Sequence, residues 1–241
     1  MRRQPLDDFS WVGPGPLTPA VKAIVFSNIA VFLITFAAPD LITGLFGLTP
    51  RLVLEQGRIW QLATYLFVHS PVAFSHILFN MLYVWLFGVE LERRWGTQAF
   101  VRYYFITGVG AGLCVLVAAL LPLAAAQRDY YATTIGASGA VYGLILAWVL
   151  TFPHRTIMFM MIFPMKAWVF GLIMGALVFF SAVGGGPSGI SHLAHAGGLI
   201  IGYLYLKGPR QLRLQLQYQL TRWRMQRLRR RFDVHKGGRF H

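Results

Sequence analysis

The stretch GASGAVYGLILAWVLT, residues 136–151, is apolar almost throughout and holds one serine, Ser138, near its start. A second apolar stretch, residues 190–206, contains AHAGGLIIG at 194–202 and holds His195 near its own start. Both read as membrane-spanning helices. A polar or ionisable side chain in hydrocarbon is costly, so each is a functional candidate by default. The first stretch is shorter than the ~20 residues that cross ~30 Å of hydrocarbon, which suits a helix that begins below the surface, under a loop.

The rest of the chain agrees with a membrane reading. Of 241 residues 56% are hydrophobic and 12% charged, with a mean hydropathy of +0.55; a soluble domain carries about 25% charged residues. Six spans are expected at about 21–39, 76–91, 99–125, 136–151, 166–183 and 190–206. The organisation is a polar, Pro/Gly-rich tail over 1–20, a six-helix domain over 21–206 and a basic tail over 207–241. The connection over 40–75 mixes Trp60, Tyr65 and Phe67 with Asp40, Arg51 and Arg58, and reads as interfacial. Residues 157–165 read as a surface-lying lead-in to the fifth span.

The net charge of +14 is uneven: eleven of 22 Lys and Arg lie between Lys207 and Arg239. Beside a membrane domain such a tail points to anionic headgroups rather than nucleic acid. Leu212, Leu216, Leu220 and Trp223 recur at helical spacing, so a basic amphipathic helix is expected there, with a disordered tail as the alternative. If both termini are cytoplasmic, only Arg51, Arg58 and Arg128 fall outside, in accord with the bias of cytoplasmic loops toward Lys and Arg. This orientation puts Ser138, His195 and His76 toward the outer face. Cys114 is the single cysteine, which excludes an internal disulfide and a Cys-based metal site.

Ser138 in a Gly/Ala-rich helix start has a bland reading as a close-packing residue. Its position offers more, because the first N–H groups of a helix lack intrahelical acceptors and the helix dipole favours negative charge there. Gly136 and Gly139 leave room for a substrate backbone. Gly139 and Gly143 on one helix, and Gly198 and Gly202 on the other, form two close-packing faces that can bring Ser138 and His195 together. His76 and Asn80, four apart, share a helix face and both donate hydrogen bonds. They are either polar glue between helices or donors for an oxyanion. Tyr142, one turn after Ser138, either packs generically or stacks on His195. His192 and Ser191 are candidates to line a wet cavity. A metal site made from His69, His76, His192 and His195 lacks a nearby carboxylate, and no metal or cofactor is called for.

These residues resemble the rhomboid intramembrane serine proteases. The resemblance rests on Gly136–Gly139 with Tyr142, on Ala194–Gly198 with Gly202, on His76–Asn80, and on Glu90–Thr97 as the turn after the second helix. It implies an all-α, six-transmembrane-helix rhomboid-like bundle with a long interfacial first loop. It implies Ser138 as nucleophile, His195 as base, and His76, Asn80 and the Ser138 N–H as oxyanion donors. It also implies Tyr142 as the aromatic against the histidine, and Glu92 with Arg94 as a polar cluster supporting the first loop. Where many members carry Trp-Arg in that loop, this chain has Trp60-Gln61, and its His69-to-His76 gap is longer. The expected function is cleavage of single-span membrane proteins near the outer end of their helix, in a bacterial inner membrane. The rivals are a catalytically silent helix-binding protein of the same fold and a small transporter.

Overall fold

The computed structural model describes residues 13–122, 124–159, 163–183 and 189–208, with 217, 218, 220–223 and 225 in the tail. The chain divides into two compact units, Met1–Tyr203 and Leu204–His241. The first is a helical bundle. In order it contains α1 (Pro19–Ala37), α2 (Pro39–Phe46), α3 (Pro50–Gln56), α4 (Gln61–Thr64) and a 3-10 turn (Tyr65–Phe67). Then come α5 (Phe74–Trp95), α6 (Thr97–Ala119), α7 (Ala124–Tyr131) and α8 (Ser138–Thr151). The strands β1 (Thr156–Phe159) and β2 (Phe163–Lys166), then α9 (Ala167–Val183) and α10 (Gly189–Lys207), follow. Helices α1, α5 and α6 are long and apolar enough to cross a membrane, while α8 and α9 are shorter apolar helices. In the second unit, Leu220 and Trp223 are helical and exposed; Leu212 and Leu216 lie outside the described residues.

Helix α6 stops at Ala119, six residues before the expected end of its span. Pro122 follows within three residues, and a proline neither donates a helix hydrogen bond nor clears the carbonyl of the preceding turn. The expected lead-in over 157–165 is not a simple one: its described residues, 157–159 and 163–165, lie in two antiparallel strands that pair Thr156 with Lys166 and Met158 with Pro164.

The polar cluster in the last turns of α5 works elsewhere than the resemblance implied. The Glu92 carboxylate, 3% exposed, accepts from the N–H of Ala20 and of Val21, both at 3.0 Å, and from the hydroxyls of Thr18 and Thr97. It therefore caps the start of α1, where free N–H groups and the helix dipole favour an anion. Arg94 lies over the Phe152 ring at 5.6 Å. The first loop is tied by its own side chains: Gln61, fully buried, accepts from the Thr49 N–H and donates toward the carbonyls of Gly44 and Leu45, and Trp60 Nε1 donates to the Leu45 carbonyl. Gln61 thus meets the open carbonyls at the end of α2 with a neutral amide.

Two further contacts position the site. Gly88 of α5 lets Val21 of α1 and Phe100 of α6 approach its backbone, so three helices meet there. Gly108 and Gly112 of α6 admit Leu66 and Tyr65 of the first loop, both fully buried. The loop therefore plugs into the bundle through Tyr65–His69, while Ile59, Trp60 and Val72 remain exposed.

Candidate active site

Ser138 is the first residue of α8. The segment leading to it is held against the first loop on four sides. Leu48 and Thr134 exchange backbone hydrogen bonds at 2.9 and 2.8 Å. The Thr49 and Thr133 hydroxyls are 2.8 Å apart, and the Gly136 N–H donates to the Tyr65 carbonyl at 2.9 Å. The Ala137 N–H faces His69 Nε2 at 3.4 Å. Gly136 has φ +112°, a conformation that only glycine adopts without strain. A Cβ there would also fall 2.5 Å from His76 Nε2. The Gly136 backbone and the His76 ring edge are therefore in direct contact, two residues before Ser138.

The two apolar stretches that hold Ser138 and His195 meet. His195 Nε2 lies 2.9 Å from Ser138 Oγ. Tyr142 stacks on the His195 ring at a centroid distance of 4.3 Å and 27° between planes, which restricts the imidazole's rotation. Both members of the pair are half-buried, as are Tyr142 and His192. His192 meets His195 edge to face at 6.2 Å. The Ser191 side chain lies outside the described residues.

The glycine faces explain the approach. At Gly198 of α10 an added Cβ would overlap the Gly139 carbonyl of α8, and at Gly202 it would come within 3.4 Å of the Gly143 Cα. Gly139 and Gly143 are closed in from the other side by Ala111 and Thr107 of α6. Helix α8 is thus gripped between α6 and α10 at near-backbone contact, as small residues allow. Tyr103 of α6 adds a hydrogen bond from its hydroxyl to the Gly143 carbonyl at 2.8 Å.

His76 and Asn80 sit on one face of α5, Asn80 buried at 5% exposure. Asn80 Nδ2 donates to the His76 carbonyl at 2.8 Å, leaving its second N–H for another acceptor. His69 escaped assignment in the sequence. Its Nδ1 faces the Phe67 carbonyl and its Nε2 the Ala137 N–H, each at 3.4 Å, and its ring lies 5.0 Å from that of His76. Two backbone partners occupy both ring nitrogens, in the tautomer that carries its proton on Nδ1. Among the described residues no group of three His, Cys, Asp or Glu is gathered to hold a metal ion.

Burial, reinforced by the neighbouring His76, holds the His69 imidazole down at about 3 against the hydrogen bond to Phe67, so it stays neutral. The native pKa lies below the unfolded one. The stabilisation is therefore complete above pH ~6.5 and lost as pH falls toward 3, at up to about 1.4 kcal/mol per pH unit. Thermal unfolding of the detergent-solubilised protein at pH 7 and pH 5 checks this: the wild type is expected to lose more stability than His69→Gln, which cannot titrate. An equal loss in both would show that His69 is not the group involved.

A Rhomboid domain family model matches residues 56–208. The chain is 29% identical over 217 residues to Rhomboid protease AarA of Providencia stuartii, covering 79% of this chain and 74% of that protein. It is 30% identical over 158 residues to Rhomboid protease GluP of Bacillus subtilis, covering 66% and 27% respectively. It is 26% identical over 194 residues to Rhomboid protease GlpG of Yersinia pestis, covering 79% and 61%. The match thus extends over three quarters of the first relative, but only about a quarter of the second.

Proposed function

The chain belongs to the rhomboid family, and from that premise we propose that it is an intramembrane serine endopeptidase using Ser138 and His195 as a catalytic dyad. The single observation that carries this reading is the 2.9 Å approach of His195 Nε2 to Ser138 Oγ. A hydroxyl and an imidazole brought together between apolar helices form a nucleophile–base pair. The stacked Tyr142 fixes the ring as the third member of a triad would.

In the proposed reaction His195 Nε2 takes the Ser138 proton as Oγ attacks a peptide carbonyl. The oxyanion is held by the Ser138 N–H at the start of α8, by His76 as its Nε2–H tautomer, and by the second N–H of Asn80. The intermediate collapses, the peptide C–N bond breaks and His195 protonates the leaving amine. Water, with His195 again as base, then hydrolyses the acyl-enzyme to release the new carboxylate and restore the serine. Gly136 and Gly139 keep the substrate strand close to Ser138. The site requires no cofactor or metal for these steps.

We further assign six spans to α1, α5, α6, α8, α9 and α10, with both termini cytoplasmic in a bacterial inner membrane. The Lys/Arg distribution supports this, and the basic tail then faces anionic headgroups. The substrates are single-span membrane proteins, cut near the outer end of their helix. Co-reconstitution with a model single-span substrate, and mass spectrometry of the products, tests the whole reading. The expected result is one internal cleavage near the outer end; no cleavage of any such substrate would overturn it.

The oxyanion assignment has its own test. His76→Ala and Gly136→Ala are each expected to lower kcat by about 10²–10³-fold, with KM little changed. The first removes a donor, and the second drives a methyl group against that donor's ring. A change confined to KM would assign His76 to substrate binding instead.

A further inference from the structure

The end of α8 remote from Ser138 carries a feature that the proposed chemistry does not use. In the β1–β2 hairpin Ile157 pairs with Met165 and Met158 with Pro164. Successive residues of a strand point to opposite faces, so the first pair lies on one face and the second on the other. Both faces are therefore apolar. Phe163 is 59% exposed, and Ile157, Met158 and Met165 are only half-buried. A hairpin lying on a protein in water hides one face and wets the other. This one has no face suited to water.

Its base is different. Thr156 pairs with Lys166, which is exposed and donates toward the threonine hydroxyl at 3.4 Å. Arg155 bonds Glu90 at 2.6 Å, and its guanidinium and that of Arg94 both lie over the Phe152 ring. Arg94, Arg155 and Lys166 thus lie around the root of an apolar hairpin, with Arg155 paired to Glu90. The backbone closes this root firmly, through the Ala167 N–H to the Arg155 carbonyl at 2.8 Å and the Trp168 N–H to the Pro153 carbonyl at 3.1 Å. Trp168, 49% exposed, stands beside Lys166 as aromatic and basic residues do at a membrane–water boundary.

Two occupants would satisfy an apolar hairpin: another strand or lipid. Pro164 weighs against the strand on the β2 edge. Without an N–H it must take the outward position on β2, where it removes a donor that an added strand would need, the common device for blocking edge pairing. The same missing N–H reduces the count of unpaired backbone groups, which hydrocarbon penalises.

We infer that this hairpin is a membrane anchor. Its apolar side chains enter the acyl-chain boundary of the leaflet remote from Ser138, and Lys166 and Arg155 bind anionic lipid headgroups. The partner is the lipid surface itself, and the inference holds whether or not the chain is a protease. Open strand edges do not enter the hydrocarbon core, so the depth is that of an interfacial element, about 5–10 Å.

The test places single cysteines in a Cys114→Ala background at Phe163→Cys, Met158→Cys and, as a reference at the root, His154→Cys. Each carries an environment-sensitive nitrobenzoxadiazole probe, in vesicles of phosphatidylcholine with phosphatidylglycerol. At 158 and 163 the emission is expected to shift to the blue, with quenching by acyl-chain nitroxide lipids at least about three-fold that at 154. Met165→Cys replaces either variant that does not elute as a single species. Lys166→Glu is expected to lower this quenching about two-fold in the anionic vesicles but little in pure phosphatidylcholine. Water-like emission quenched by iodide at both positions would overturn the anchor. So would protection from nitroxide and iodide together, which would mean that a protein covers the hairpin. Equal quenching with and without Lys166→Glu would remove the headgroup contact.

Discussion

Ser138→Ala is expected to abolish reaction with a fluorophosphonate and to lower cleavage of a single-span substrate by roughly 10⁴-fold or more, and His195→Ala to do the same, since the members of a nucleophile–base unit fail together. The geometry makes the two changes informative. Ser138 Oγ and His195 Nε2 are mutual partners at 2.9 Å, so the alanine at 138 removes one oxygen and adds nothing. Fold should survive: α8 remains gripped by α6 and α10 through glycine contacts that do not involve the hydroxyl. The structural cost is the unpaired imidazole nitrogen, about 1–3 kcal/mol for a buried polar group and less for a half-buried one. Circular dichroism and the unfolding midpoint separate that loss from the chemical one. Labelling or cleavage that persists in either variant would remove the dyad and, with it, the proposed mechanism.

Gly198→Ala is expected to lower both stability and rate strongly, although residue 198 touches neither reacting atom. The new methyl group would overlap the Gly139 carbonyl oxygen, and the obstacle is backbone in the neighbouring helix. No rotamer change relieves it, so α8 and α10 must part by about 1 Å, and overpacking of this kind costs roughly 1–3 kcal/mol. The same displacement opens the Ser138–His195 pair, since Ser138 adjoins Gly139 and His195 lies less than one turn from Gly198. A misplacement of ~1 Å costs on the order of 10²-fold in rate. Gly175→Ala is the matched control: nothing lies within 4 Å of its Cβ position in α9. There the substitution should be neutral or stabilising by up to about 1 kcal/mol, because alanine is the better helix former. If both variants behaved alike, tight contact between α8 and α10 would not be what holds the pair.

The site was legible in outline because hydrocarbon makes polar residues conspicuous. A serine and a histidine among Leu, Ile and Ala stand out, and glycines four apart mark where helices touch. The roles of His69 and Gln61 did not stand out. Both lie in a loop already rich in polar and aromatic residues, and each does its work on backbone groups distant in the chain, Ala137 and Thr49. Glu92 was noticed but misplaced: its neighbours in sequence gave no sign that its partners, Ala20 and Val21, lie more than seventy residues earlier. The hairpin between α8 and α9 was hidden for another reason. A short apolar run has no period that separates strand from surface segment, and pairing, not propensity, makes it a strand.

By itself the sequence determined the membrane character of the chain, the approximate bounds of its apolar helices and which few polar side chains were worth attention. These depend on local composition, since each helix satisfies its own backbone and needs only enough apolar length to sit in lipid. The tertiary structure alone decided that Ser138 and His195 meet at bonding distance, that the first loop pins the segment before Ser138, and that Glu92 clasps α1. Those outcomes depend on the separation of backbones far apart in the chain. That separation is set by contacts as small as a missing methyl group on Gly198: the glycine spacing marks a packing face, but only the fold sets which backbone it meets, here that of Gly139.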